Sequence, residues 1–432
     1  MTLDERGLGD TNKLISEFAD ITLPRPRLRP VGSDDATRGD APRRRYAIIG
    51  SRGYPSTYGG FETFVRRFAP YLAERGVDVT VYGRDDSRPE PFVTPDGVRV
   101  VNTRGKDTKC ASTLSYGLTA CTHAARERYD AALVLNCANG YWLPLLRSAG
   151  VPTAVNVDGL EWERDKWSSL GKKVFRQGAV VTSKYADRLI SDARGIADYW
   201  QEHFDSDSTV IPYGGDVLGP IPDTKVREQG LEPGRYILVV ARLVPENNVE
   251  LLLDAVQKLG GRYRTVVVGS AVGDAPIETR LREMQRTDNV LWLGHVSDQD
   301  LLQQLWQHCG VYVHGHSVGG TNPALLQALG AGSPTVAFDT VFNREVVREA
   351  CPTYGKDADE LAALLVRVMN DDLFRHRLSA AGQEIIRQRY TWEQVCADYL
   401  QVLDDLAGIH SRSSSRAIRS AQRVRRLVPA SR

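Results

Sequence analysis

The chain has 432 residues, 42% of them hydrophobic and 25% charged, with a formal net charge of +1. That length exceeds one ordinary domain, and the composition is that of a globular protein. The balanced charge excludes a chain that is basic throughout, as a general nucleic-acid binder would be. The six cysteines (110, 121, 137, 309, 351 and 396) are scattered without a CxxC pair, which predicts buried free thiols in a reducing cytosol. No apolar run reaches the length of a membrane span and no signal-peptide core opens the chain, so membrane contact is expected to be peripheral.

Residues 1–43 are rich in Asp, Arg, Pro and Gly with little periodicity, and read as a disordered lead-in. YAIIGS (46–51) is the first buried-strand run. A loop, RGYPSTYGG, follows, and then a helix over 61–76 with Phe61, Val65, Phe68 and Leu72 on one face. DVTVYGR (78–84) is the next strand. A strand, a glycine loop, a helix and a second strand open a βαβ fold, although the glycines are Gly59-Gly60 rather than GxGxxG. Glycine there lets backbone N–H groups approach a phosphate or a sugar.

The alternation continues with strands at 98–103 and 131–136 and a helix between them, near 111–127. The strand PTAVNVDG (152–159) ends in a polar cluster, Asp158-Gly159-Leu160-Glu161-Trp162. A carboxylate at the C-terminal end of a parallel strand is where open α/β sheets bind ligands. A helix over 169–186, a strand at 188–193, a helix near 194–203 and a strand at 208–215 complete the first half. The Pro- and Gly-rich stretch 216–234 marks the boundary. A second series begins with YILVVARL (236–243), followed by a helix from Glu246 to Leu259 and strands at 264–270 and 290–296.

The stretch HGHSVGGTNPALLQALGAGSPTVAFD (314–339) is the densest in chemistry. An apolar strand run ends at a Gly-Gly turn, and Thr321 or Asn322 then caps a helix with Pro323 in its first turn. Free N–H groups and the positive helix end make an anion site. His314, His316, Ser317, Thr321 and Asn322 crowd that turn. Helices near 357–370, 371–388 and 392–408 follow; the last is amphipathic and suited to cross back onto the first half. The tail 410–432 has many arginines and no acid, which suits anionic lipid headgroups or a solvated disordered segment; it has no interleaved aromatics for nucleic acid.

Four stretches in this order carry a resemblance: GSRGYPSTYGGFETFV (50–65), NVDGLEWERDKW (156–167), ARLVPENN (241–248) and HGHSVGGTNPALLQA (314–328). Over residues 46–405 the chain resembles the family 4 retaining glycosyltransferases of GT-B fold, and within them the rhamnosyltransferase-like branch of bacterial surface-polysaccharide synthesis. The resemblance implies two Rossmann-like doubly wound α/β domains facing across a cleft, 44–215 on the acceptor side and 235–390 on the donor side. A linker spans 216–234, and a crossover helix at 391–409 returns to the first domain. It implies a nucleoside-diphosphate sugar substrate, dTDP-L-rhamnose first, with other UDP- or GDP-sugars as alternatives. No cofactor and no metal are expected. The acceptor would be a polyprenyl-diphosphate-linked saccharide, at the inner face of the plasma membrane.

Site roles carry over position by position. Gly59 and Gly60 would give N–H groups to phosphate or sugar, and Arg242 would neutralise the diphosphate together with the helix opening at Gly320-Thr321-Asn322. Glu246, Asn247, His316, Gly319 and Gln327 complete the expected donor site. Asp158 and Glu62 join Arg242 as catalytic candidates, and Tyr58, Glu161 and Trp162 as acceptor candidates. Each has a plainer alternative: an Arg242–Glu246 ion pair, a helix cap at Asp158, a first-turn acid at Glu62, a core Trp162. The family commonly has two glutamates where this chain has Gly319 and Gln327, and a lysine where it has Asn247-Asn248. Gln327 can still bond a ribose hydroxyl, but it is neutral. The remaining alternatives are a nucleotide-sugar epimerase and a catalytically silent GT-B binding partner.

Overall fold

The computed structural model describes residues 44–55, 59–85, 88, 90–106, 111–163, 168–271, 276–287 and 289–409. The lead-in 1–43, Tyr58, Cys110 and the basic tail 410–432 lie outside the described residues. The first half contributes β1 (Arg45–Ile49), β2 (Asp78–Gly83), β3 (Phe92–Val93), β4 (Arg99–Asn102), β5 (Ala131–Leu135), β6 (Thr153–Asn156), β7 (Arg188–Ser191) and β8 (Thr209–Val210). They form one sheet in the order β3-β4-β2-β1-β5-β6-β7-β8. Every pairing in it is parallel except β3 with β4.

The second half contributes β9 (Tyr236–Val240), β10 (Arg264–Val268), β11 (Val290–Gly294), β12 (Val311–His314), β13 (Thr335–Phe338) and β14 (Thr353–Tyr354). Their order is β11-β10-β9-β12-β13-β14, all parallel. Counted within that half, this is the doubly wound order in which strand direction of travel reverses between β9 and β12. Ligands of such sheets bind beyond the carboxyl ends of the strands at that reversal. The central apolar runs, such as β1, β5, β6, β9, β12 and β13, are buried on both faces, as parallel sheets covered by helices require, whereas the edge strands β8 and β11 are more exposed.

Several boundaries differ from the reading of the sequence. The helix expected from Glu246 begins as a 3-10 turn, Pro245–Asn247, breaks at Asn248 in a left-handed conformation, and resumes as Val249–Lys258. STVIPYGG forms a strand only over Thr209–Val210, because Ile211–Gly215 runs on into the second half. RLISDA is strand only to Ser191, which leaves Asp192 at the strand end. A seven-residue helix, Val341–Val347, and the short β3 and β14 were not anticipated. No helix of the described residues is long and apolar enough to cross a membrane. All five described cysteines are free and buried, and burial alone pushes Cys121 up to about 12.

The last helix, Trp392–Leu406, does return to the first sheet. Its buried Asp404 accepts a 2.5 Å bond from the Tyr46 hydroxyl of β1 and 2.8–2.9 Å bonds from the Arg44 guanidinium. One turn earlier, the Tyr399 hydroxyl accepts a 2.6 Å bond from Asn156 at the end of β6 and its ring packs on Phe64 and Phe68. Replacing Asp404 with Ala leaves the Tyr46 hydroxyl and the Arg44 charge without their acceptor. Breaking such a half-buried pair costs about 3 kcal/mol. Urea unfolding of D404A should show that loss, and a midpoint within error of wild type would refute the anchoring role.

Candidate active site

The second-half side of the site is built on two loops at the strand reversal. Arg242 follows β9 directly and is exposed. Its backbone carbonyl accepts a 2.8 Å bond from the Asn247 amide, while no hydrogen bond or ion pair holds its guanidinium among the described residues. The Arg242–Glu246 ion pair considered above is therefore not formed. Asn247 is buried and knits its own loop instead of facing a ligand; Asn248 does the same by donating 2.8 Å to the Gly315 carbonyl. These two amides stand where the wider family has a lysine, and here they shape the backbone.

Glu246 is placed differently. Its carbonyl receives the Ser317 N–H (2.9 Å) and hydroxyl (2.8 Å), which locks the two loops together. Both carboxylate oxygens are shielded from water and have no hydrogen-bond partner among the described residues. A shielded carboxylate of this kind is costly unless something donates to it.

Of the two histidines, His314 is structural. It is fully buried, bonds the Tyr312 hydroxyl through Nδ1 (3.2 Å) and stacks on His316 with ring centroids 4.5 Å apart. Burial drives its pKa well below 6.5, so it stays neutral. His316 is half-buried at the loop, and its carbonyl accepts from Asn343 at 2.8 Å.

The helix Pro323–Ala331 begins as the sequence implies. Asn322, not Thr321, is the cap: its side-chain oxygen accepts the Ala324 N–H at 2.9 Å, and Pro323 is the first helical residue. Thr321 is buried and donates 2.5 Å to the carbonyl of Asp192, at the end of β7 in the first half. The Asp192 carboxylate lies so close to Gly320 that no β-carbon would fit there. Gly319 has φ +109°, a backbone conformation that residues with a β-carbon rarely adopt. The absent glutamate is thus not a simple deletion, because this loop takes a path only glycine follows easily. Gln327 is half-buried on the same helix, with no hydrogen bond to its amide among the described residues.

On the first-half side, Gly59 caps the helix Gly60–Glu74 with φ +118°. Glu62 is buried, folds over Gly59 and accepts the Arg52 N–H at 3.1 Å. Its carboxylate thereby braces the loop after β1, the first-turn role rather than a free catalytic one. Asp158 is half-buried with φ +58°, and its N–H is held by the Asn156 side chain at 2.8 Å. It caps no helix. Glu161 is buried beside it. Trp162 is a correction: its indole is buried against Tyr199 and Phe204 and donates to the Tyr199 hydroxyl at 3.3 Å, so it is core and offers no stacking platform.

Two residues that join the halves were missed. Tyr213 is 7% exposed. A β-carbon on Gly60 would sit 3.4 Å from its hydroxyl and 3.7 Å from Pro323, so this phenol lies where the two helix N-termini meet. Burial first, then the negative charges of Asp158, Asp192, Tyr399 and Glu62, hold its pKa well above 10. It therefore remains a hydrogen-bond donor, and no side-chain hydrogen bond engages it among the described residues. Asp192 is the other. Around it, Glu345 of the second half accepts the Arg194 N–H at 2.9 and 3.1 Å, and Phe342 lies against Gly195.

Two Rossmann-like sheets, with helix N-termini meeting at a strand reversal, define the GT-B fold of glycosyltransferases. Comparison with known proteins agrees. Residues 223–385 match the family described as glycosyl transferases group 1, and residues 43–216 match a domain of unknown function, DUF1972. The family match thus falls within the second half. A phosphatidyl-myo-inositol mannosyltransferase of Mycolicibacterium smegmatis is 31% identical over 261 residues, 56% of this chain and 63% of that protein. The match spans less than two thirds of that relative's length. Among solved structures, sucrose-phosphate synthase from Thermosynechococcus elongatus superposes with a TM-score of 0.72 at 19% identity, covering 85% of this chain and all (100%) of that one. An Anabaena protein, HepE, in complex with UDP gives 0.67 at 17% identity, over 84% of this chain and 100% of that one. The mannosyltransferase relative lends the rhamnose expectation no support.

The Gly319 geometry can be checked directly. Restoring the family's acid as G319E should lower stability by about 1–3 kcal/mol through backbone strain, and G319A by a similar amount. Equal melting temperatures for G319A and wild type would remove that explanation.

Proposed function

We propose that the protein is a retaining glycosyltransferase that moves a hexosyl group from a nucleoside-diphosphate sugar to a hydroxyl of a lipid-linked saccharide in cell-surface polysaccharide synthesis. The observation that carries this is the meeting of the Gly60 and Pro323 helix ends around the Tyr213 hydroxyl, on the same sheet reversal that Arg242 follows out of β9 with no partner among the described residues. Helix N-termini and a free guanidinium suit a diphosphate, whose charge grows as it leaves. Glu246 supplies acceptors for a ribose or sugar hydroxyl, and Gln327 offers a neutral substitute for the family's ribose-binding acid.

In this reading the bond from the sugar's anomeric carbon to the diphosphate oxygen breaks, and its electron pair leaves with the diphosphate. The acceptor oxygen bonds to the same face, and its proton passes to the departing phosphate. Arg242 and the Pro323–Ala331 helix end stabilise the leaving charge without requiring a metal, Tyr213 donates to it, and Asp158 orients the acceptor. The resemblance favours dTDP-L-rhamnose as donor; transfer of mannose from a GDP donor is the reading that the mannosyltransferase relative favours.

A thermal-shift titration with dTDP, UDP and GDP separates these. A ligand that binds only the folded state raises the melting temperature with concentration. One nucleotide should do so, and R242A should abolish the shift; no response to any of the three would overturn the donor-site assignment. Y213F should keep the wild-type melting temperature, since no protein hydrogen bond is lost, yet lower kcat/KM about 10- to 100-fold, as expected for one bond to a charged group. Unchanged kcat/KM would exclude Tyr213 from the reaction.

A further inference from the structure

The helix Ser169–Tyr185, SLGKKVFRQGAVVTSKY, joins β6 to β7 and contains no acid. Its inner face is fixed firmly. Gly171, Phe175, Gly178, Ala179 and Thr182 are buried, Thr182 donates to the Cys137 carbonyl at 3.1 Å, and the Val174 carbonyl accepts from the Tyr141 hydroxyl at 2.9 Å. The outer face is unusual for a surface helix. Leu170 is 72% exposed and Val180 43%, and with Lys173, Gln177 and Lys184 they recur every three or four residues, which places them on one stripe. Arg176 is exposed at its flank and Lys172 is half-buried beside it. The nearest acids in sequence are Asp165, which lies outside the described residues ahead of the helix, and Asp187, which turns inward to the Thr153 N–H.

Three exposed bases, no acid within the helix and two protruding aliphatic side chains on a helix bound rigidly by its other face match an anionic bilayer surface. Bases meet headgroups while short apolar side chains enter the acyl boundary. The helix also lies in a telling place. It leaves the loop that carries Asp158 and Glu161, beyond the carboxyl end of β6, and runs back to the start of β7. Its Leu170 end therefore sits at the cleft-side edge of the first sheet, where a lipid-borne acceptor would have to enter.

We infer that the outer face of the helix Ser169–Tyr185, through Leu170, Lys173, Arg176, Val180 and Lys184, docks the protein on an anionic lipid bilayer. This contact is separate from the basic tail and does not depend on which nucleotide the donor site takes.

Flotation of the full chain with vesicles tests it. Wild type should float with phosphatidylcholine vesicles containing phosphatidylglycerol and should not float with phosphatidylcholine alone. Each base near the surface is worth about a fivefold change in partition, so K173E/R176E/K184E should lose at least tenfold. L170S/V180S should bind several-fold more weakly and be released at lower salt. All these side chains are exposed, so melting temperatures and nucleotide responses should match wild type; if the triple reversal destabilises, K173Q/K184Q gives the same reading. Wild-type partition in both variants would overturn the inference and move the contact to residues 410–432. Failure of wild type to float with either vesicle would overturn it too. A failed donor-site assignment would appear only in the nucleotide titration, with flotation unaffected.

Discussion

The site depends on the return of the last helix to the first strand. Asp404, held by Tyr46 and Arg44, and Tyr399, held by Asn156, tie the chain's final helix to strands laid down more than two hundred residues earlier. Neither sheet alone makes a site, because each supplies one helix end and one set of polar loops. Fastening Trp392–Leu406 onto β1 and β6 fixes how those ends can meet. The Asp404 bonds are charge-assisted and largely shielded, so they are worth more than surface pairs such as Arg75 with Glu393.

The contacts between the halves use the same chemistry as the proposed ligand site. Glu345 sits on the N-terminus of the helix Arg194–Phe204, and the Asp192 carboxylate lies against the Gly319–Thr321 turn ahead of the other helix. Carboxylates from one half thus approach helix starts in the other, as a bound anion would. A diphosphate entering near Gly320 would meet Asp192 and add negative charge beside it. Like charges at short range in a shielded cleft repel strongly, so a donor proposed to bind there would be felt by the contact between the two halves.

Much of the fold was legible because parallel sheets bury both faces, and buried runs such as YILVV and RTVVV stand out from their amphipathic helices. The β12 strand, glycine turn and Asn322 cap were legible for the same local reason: each is dictated by residues within a few positions. Tyr213 and Asp192 were not. In the sequence they end ordinary strand runs, and their importance comes from partners far along the chain, Asp192 from Thr321 at a separation of 129 residues. Helix breaks were hidden too, since Asn248 takes a left-handed conformation for its bond to Gly315, which no local pattern announces.

The positions at which this chain departs from the pattern it resembles follow one logic. Where the family has a lysine, Asn247 and Asn248 spend their amides on backbone; where it has a glutamate, Gly319 follows a path closed to most side chains. Charge is removed from the loops, and shape is gained. Among the described residues, the Arg242 guanidinium, the shielded Glu246 carboxylate and the Tyr213 phenol are left without a hydrogen-bond partner. A site with fewer charges must rely on precise placement of neutral donors and helix ends. The packing of Tyr213 between Gly60 and Pro323 sets a neutral donor, rather than an ionised residue, where the two helix ends meet.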